Sequence, residues 1–251
     1  MRHILTFLIC IVCSLTAHAQ NIYFNHLTPA NGLSQISVNS VFADKGGTIW
    51  MATRMGLDCY DGNSIHVYSY DANNPHSLFC NNVRQVVGDG NHTIYLSCSE
   101  GVASLDVHTL RFTTLHCSGN MSICYSDALY MSDKNIVYRT TDKGKTKKLY
   151  ARLPACETVA TMTMDSRKRL WIGTVSGGLY LLQGGKQKHV INDAHITTIY
   201  EDSRHNIWVG SWNNGLWTIA PNGKTTNVKA GSWLISNFVR TFCEDLQGNM
   251  W

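Results

Sequence analysis

No stretch of these 251 residues sustains a 3.6-residue apolar period, so a helical bundle is excluded as the main architecture. Past Leu15 no hydrophobic run approaches the roughly 20 residues that a membrane-spanning helix needs. The chain lacks HExxH, GxSxG and phosphate-loop patterns, and its 11 histidines are scattered without a spacing that would hold a metal on one strand face. Paired carboxylates such as Glu201-Asp202 and Glu244-Asp245 are sequence neighbours, which a strand sends to opposite faces, the wrong arrangement for shared acid–base work. Strong charge is missing too. The whole chain carries 21 basic and 17 acidic residues, too even and too evenly spread for a nucleic-acid footprint. The one local cluster, Lys143 to Lys148, alternates with Gly and Thr and reads as a solvated hairpin. No cofactor, metal or catalytic residue is expected.

What is present begins with an export signal over residues 1–19. Arg2 and His3 precede a mostly apolar run from Ile4 to Leu15, and Ala17-His18-Ala19 forms a small-x-small cleavage site before Gln20. Cys13 follows Val12 and so makes no lipidation site. The mature chain, residues 20–251, is then exported and without membrane contact of its own. Of the 9 cysteines, Cys10 and Cys13 leave with the signal. The seven that remain form no CxxC pair, which argues against a disulfide framework and a zinc site and assigns most of them to buried positions in strands.

Five times an aspartate is followed six residues later by an aromatic: Asp44 and Trp50, Asp89 and Tyr95, Asp165 and Trp171, Asp202 and Trp208, Asp245 and Trp251. Repetition at about 40 residues marks an array of identical modules. Within one unit Val38–Phe42 alternates, Asp44 to Gly47 supplies turn chemistry, and Thr48–Thr53 is β-rich. Leu57–Tyr60 and Ser64–Tyr68 then flank the hairpin turn Asp61-Gly62-Asn63. Four short strands in each unit make the chain all-β, a β-propeller. About five blades, around Trp50, Tyr95, Tyr130, Trp171 and Trp208, precede a partial sixth ending at Trp251, and the ring is expected to be open. A third, divergent blade fills the long interval between Tyr95 and Trp171. Its Thr140-Thr-Asp-Lys-Gly-Lys-Thr146 resembles the Asp-box hairpin of sialidase-like propellers, with Lys147 where that box closes on Trp. The ten repeat residues are assigned to structure: the aspartate accepts amides of the turn it starts, and the aromatic packs between sheets. Functional acids or sugar platforms are the weaker reading of the same residues.

Asn31-Gly-Leu-Ser34, Asp44-Lys-Gly-Gly-Thr-Ile-Trp50, Asp165–Thr174 and Asp202–Gly210 resemble the two-component regulator propeller repeat. The resemblance implies the N-terminal periplasmic sensor region of a hybrid two-component histidine kinase, often responsive to oligosaccharides and homodimeric in full-length form. The kinase and membrane parts of that family have no counterpart here, so the chain is expected to be an unfinished sensor that cannot signal alone. Ligand contacts are then expected on the loop face, where the links between blades meet the turns between second and third strands. There lie Arg54, Glu100, Ser176, Trp212, Asn213 and Asn214, with His76, Asn81, Arg84, His195, Trp233 and Asn237 from the links. Trp212 stands out because the other units carry Arg54, Ser99 and Val175 at its position. A Trp beside two Asn suits a sugar face, whereas packing on a neighbouring loop is the plainer use. Two competing functions remain: a propeller lyase or glycosidase, for which Glu100 and His195 are the polar candidates, and a protein-interaction scaffold.

Overall fold

The structure, a computed structural model, describes residues 25–251 apart from 120 and 145. The signal over 1–19 lies outside the described residues. Twenty strands form five separate four-stranded antiparallel sheets, each strand pairing with its neighbour in sequence. Blade 1 holds β1 (Val38–Ala43), β2 (Ile49–Thr53), β3 (Gly56–Tyr60) and β4 (Ile65–Tyr68). Blade 2 holds β5 (Val83–Gly88), β6 (Thr93–Cys98), β7 (Gly101–Asp106) and β8 (Arg111–His116). Blade 3 runs through β9 (Ile123–Tyr125), β10 (Leu129–Asp133), β11 (Ile136–Thr140) and β12 (Lys148–Arg152). Blade 4 comprises β13 (Val159–Met164), β14 (Leu170–Thr174), β15 (Leu179–Gln183) and β16 (Lys186–Ile191). Blade 5 comprises β17 (Ile196–Glu201), β18 (Ile207–Ser211), β19 (Leu216–Ile219) and β20 (Thr225–Val228). Among the described residues no helix is long and apolar enough to cross a membrane.

The innermost strands stand side by side in the order β1, β5, β9, β13, β17, and no contact of comparable extent joins β17 back to β1 among the described residues. After blade 5 the chain makes a hairpin stub. Glu244 bridges Met250, and the Cys243 and Trp251 amides and carbonyls bond reciprocally at 3.0 and 2.8 Å.

The Asp–aromatic spacing has a concrete geometry. Asp44 Oδ1 accepts the Gly46 and Thr48 amides at 2.8 and 3.0 Å, while Oδ2 accepts Trp50 Nε1 at 3.1 Å. One carboxylate thus closes the β1–β2 turn and fixes the indole on the second strand. Asp165 with Trp171, Asp202 with Trp208 and Asp245 with Trp251 repeat it, with indole distances of 2.8, 2.8 and 2.9 Å. Asp89 binds the Asn91, His92 and Thr93 amides of its turn, where Tyr95 offers no N–H. Blade 3 has a shorter turn, and there Tyr130 Oη donates to Asp127, three residues earlier, at 3.3 Å.

The aromatics fill the spaces between sheets. Trp50 packs with Val83, Val86 and Leu96 of blade 2. Tyr95 packs with Ile123 and Leu129 of blade 3, Tyr130 with Met162 and Leu170 of blade 4, and Trp171 with Ile196 and Ile199 of blade 5. Each buries on the order of 200 Å², so every inter-blade seam has its own apolar core. Trp208 meets Phe242 of the stub at 5.8 Å between ring centroids and is only half-buried, while Trp251 is 62% exposed.

Two further devices recur. The first strand carries a bulge at its second position in blades 1, 2, 4 and 5, between Val38 and Ser40, Val83 and Gln85, Val159 and Thr161, Ile196 and Thr198. The bulge turns that residue toward the next blade. Asn39 Nδ2 donates to the Val83 carbonyl at 2.8 Å, and Thr197 Oγ1 donates to that of Val239. In the same four blades a glycine at the start of the third strand lies against the carbonyl that ends the fourth. At Gly178, with φ +95°, a Cβ would sit 2.0 Å from the Ile191 oxygen, which admits no side chain.

Candidate functional site

The loop face gathers some of the sequence-predicted residues and separates others. Trp212, 48% exposed, lies in the β18–β19 turn, anchored by its amide on the His195 carbonyl at 3.0 Å. Its ring stacks on the His195 imidazole at 5.9 Å and 16° and meets Phe238 at 4.4 Å and 51°. The cluster joins a blade turn to the links on both sides of blade 5. Asn213 is exposed beside it, and the Asn214 amide is tied to Ser211 Oγ at 2.9 Å, which shapes the turn. Asn227 Nδ2 donates to the Asn214 carbonyl at 3.1 Å. The arrangement offers a half-exposed indole with an exposed carboxamide on the next residue.

Phe238 was not singled out from sequence. It lies in the link after blade 5, far from Trp212 along the chain, and only the ring geometry reunites them. Trp233 is 66% exposed in the same link and enters no aromatic pair among the described residues.

Arg54 belongs to a second grouping. It lines a cavity of about 360 Å³ with Asn39, Asn82, Arg84 and Arg240. Another cavity of about 360 Å³, lined by residues including Thr93, Arg111, Thr113 and Lys143, contains none of the predicted site residues.

Ser176 is exposed. Its hydroxyl donates to Glu157 Oε2 at 3.4 Å, and the Gly177 amide donates to the same oxygen at 2.8 Å. Glu157 is buried and organises the β14–β15 turn, so these contacts hold the loop in shape. Glu100 is exposed in the β6–β7 turn of blade 2, and no hydrogen bond or ion pair joins it to His195 of blade 5 among the described residues.

The seven cysteines among the described residues are free; Cys59, Cys80, Cys98 and Cys124 are buried, and Cys117, Cys156 and Cys243 are exposed. Bonding to the Cys98 thiol holds the Cys80 thiol down to about 6, while the same contact and burial push Cys98 up. Both sit in the core between blades 1 and 2, away from the exposed setting a nucleophile needs. No group of three or more His, Cys, Asp or Glu poised to hold a metal occurs among the described residues.

The family model described as "Two component regulator propeller" matches residues 191–213. The chain carries a two component regulator propeller repeat. That repeat contains His195, Asp202, Trp208, Trp212 and Asn213, so the Asp–Trp turn and the loop-face stack belong to one unit. "Histidine kinase P4" of Formosa agariphila is 44% identical over 62 residues, which is 25% of this chain and 4% of that protein. The extracellular domain assigned to a hybrid two component system of B. thetaiotaomicron superposes with a TM-score of 0.76 at 20% identity, covering 93% of this chain and 33% of that one. The virginiamycin B lyase of Staphylococcus aureus superposes at 0.64 with 13% identity, covering 78% and 71%. At these identities the structural likenesses establish the propeller fold. The chain spans about a third of the first of these structures and a twenty-fifth of the kinase.

Proposed function

We propose that these blades are the ligand-sensing propeller of a hybrid two-component regulator, exported to the periplasm, and that they bind an oligosaccharide on the loop face. The observation that carries the reading is the Trp212 platform. An indole left half-exposed between His195 and Phe238, with the exposed carboxamide of Asn213 on the next residue, suits a sugar ring whose C–H face stacks while its hydroxyls bond the amide. The regulator propeller repeat over residues 191–213 and the kinase relative support the regulatory setting. The propeller supplies recognition and no chemistry of its own, and the homodimer expected of full-length relatives belongs to the same proposal.

The test is a thermal-shift screen of the chain against an oligosaccharide panel, with product analysis. A ligand at 100 times its dissociation constant adds about 2.7 kcal/mol to stability. Trp212→Ala should abolish the shift while leaving the unliganded melting temperature in place. Turnover of any panel member would replace this reading with the lyase or glycosidase, and no shift from any sugar would favour a protein-interaction scaffold.

A further inference from the structure

We infer that the mouth of the central channel holds an oxyanion site built from Arg54, Arg84 and Arg240. The three side chains come from different blades. Arg54 belongs to the β2–β3 turn of blade 1, where its amide is held by Gln35 Oε1 at 3.1 Å. Arg84 occupies the bulge position of β5. Arg240 follows Val239, six residues ahead of Asp245, just as Val83 precedes Asp89 and Val38 precedes Asp44. It therefore holds the bulge position of the sixth unit, equivalent to Arg84 and Asn39. The innermost strands and the β2–β3 turn bring these exposed arginines together around one open cavity of about 360 Å³, lined also by Asn39 and Asn82.

Charge makes the cavity more than a gap. No carboxylate lines it, and none of the three guanidinium groups has an ion pair among the described residues. Three like charges around one volume repel, and an anion between them relieves that repulsion. Each guanidinium presents a planar fork of donors that matches the paired oxygens of a carboxylate, sulfate or phosphate. Asn39 already spends its Nδ2 on the Val83 carbonyl. The ligand class is thus an oxyanion, whether a free inorganic ion or an acidic group on a sugar. Phe238, which meets the Trp212 ring, is two residues from Arg240. The inference stands apart from the sugar reading, because inorganic sulfate alone probes it.

Isothermal titration of the chain with sulfate, glucuronate and glucose is the experiment, repeated with Arg84→Gln and Arg240→Gln. Sulfate and glucuronate should bind and weaken with rising salt, glucose should not bind here, and each Gln variant should lose about tenfold in affinity. Glucuronate binding well above sulfate assigns the site to an acidic sugar, and equal binding assigns it to the bare anion. The unliganded melting temperature of the variants should hold or rise, as removal of a repelling charge requires. Absence of anion binding to the parent chain, unchanged affinity in both variants, or a fall in their melting temperature overturns the inference.

Discussion

Replacing Asp165 by Ala strikes the Asp–Trp turn where it is most deeply buried. Asp165 and Trp171 are each 2% exposed, and the carboxylate takes Trp171 Nε1 at 2.8 Å, Arg169 Nε at 2.6 Å and the Arg167 and Arg169 amides. Ala leaves a buried indole N–H without an acceptor, which costs about 1–3 kcal/mol. Arg169, whose side chain is 16% exposed, also loses its ion-pair partner and adds to the cost. Loss of the turn bonds brings the total to about 3 kcal/mol, a drop in melting temperature of roughly 6–12 °C for a domain of this size. Asp165→Asn keeps one acceptor oxygen and should fall about halfway. Adding Trp171→Phe to Asp165→Ala removes the stranded donor, so the double variant should be less unstable than the sum of the two single losses. The control is Asp245→Ala, which breaks the same motif where Trp251 is 62% exposed and water replaces the carboxylate. Thermal and urea unfolding followed by circular dichroism would measure these four and Trp171→Phe alone. Equal losses at Asp165 and Asp245, or no loss at Asp165, would refute the claim that burial of the indole bond sets its worth.

Acid should loosen the turns in a defined window. At Asp89 and Asp202 burial pushes upward, but the combined turn and side-chain hydrogen bonds prevail and hold both carboxyls below their ordinary range; Asn249 and Trp251 hold Asp245 down to about 2. Folded values below unfolded ones mean that this stability is complete above about pH 4 and is lost as pH falls toward 2, which an acid titration of the melting temperature checks. Gly178→Ala puts a Cβ 2.0 Å from the Ile191 oxygen at positive φ and should cost about 2 kcal/mol or more, read by urea unfolding. Leu78→Ala, at a fully buried position between blades 1 and 2, should cost about 2–5 kcal/mol by the same assay.

The blade plan was legible because it rests on short-range chemistry. An Asp that closes a turn and bonds an indole six residues on leaves a spacing visible in the chain, and Asp44, Asp165, Asp202 and Asp245 all do so. Blade 3 was harder to read: Tyr130 takes Asp127 at three residues instead of six, and β9 escaped notice for want of the signal. The loop face was read less completely. Trp212 and His195 were marked separately and prove to stack, and the exposed Ser176 hydroxyl meets Glu157, a residue with no pattern to betray it. Phe238 reaches Trp212 only through the ring. Arg240 was within reach, since its place after Val239 and before Asp245 repeats that of Arg84.

Hydrogen exchange of backbone amides, with and without the oligosaccharide that shifts melting, tests the central claim most directly. Recognition on the loop face predicts slowed exchange at Trp212, Asn214 and Val239, with the Asp-turn amides of Gly46, Arg167 and Arg204 unchanged. Protection confined to those turns, or release of a cleaved sugar during the experiment, would contradict it.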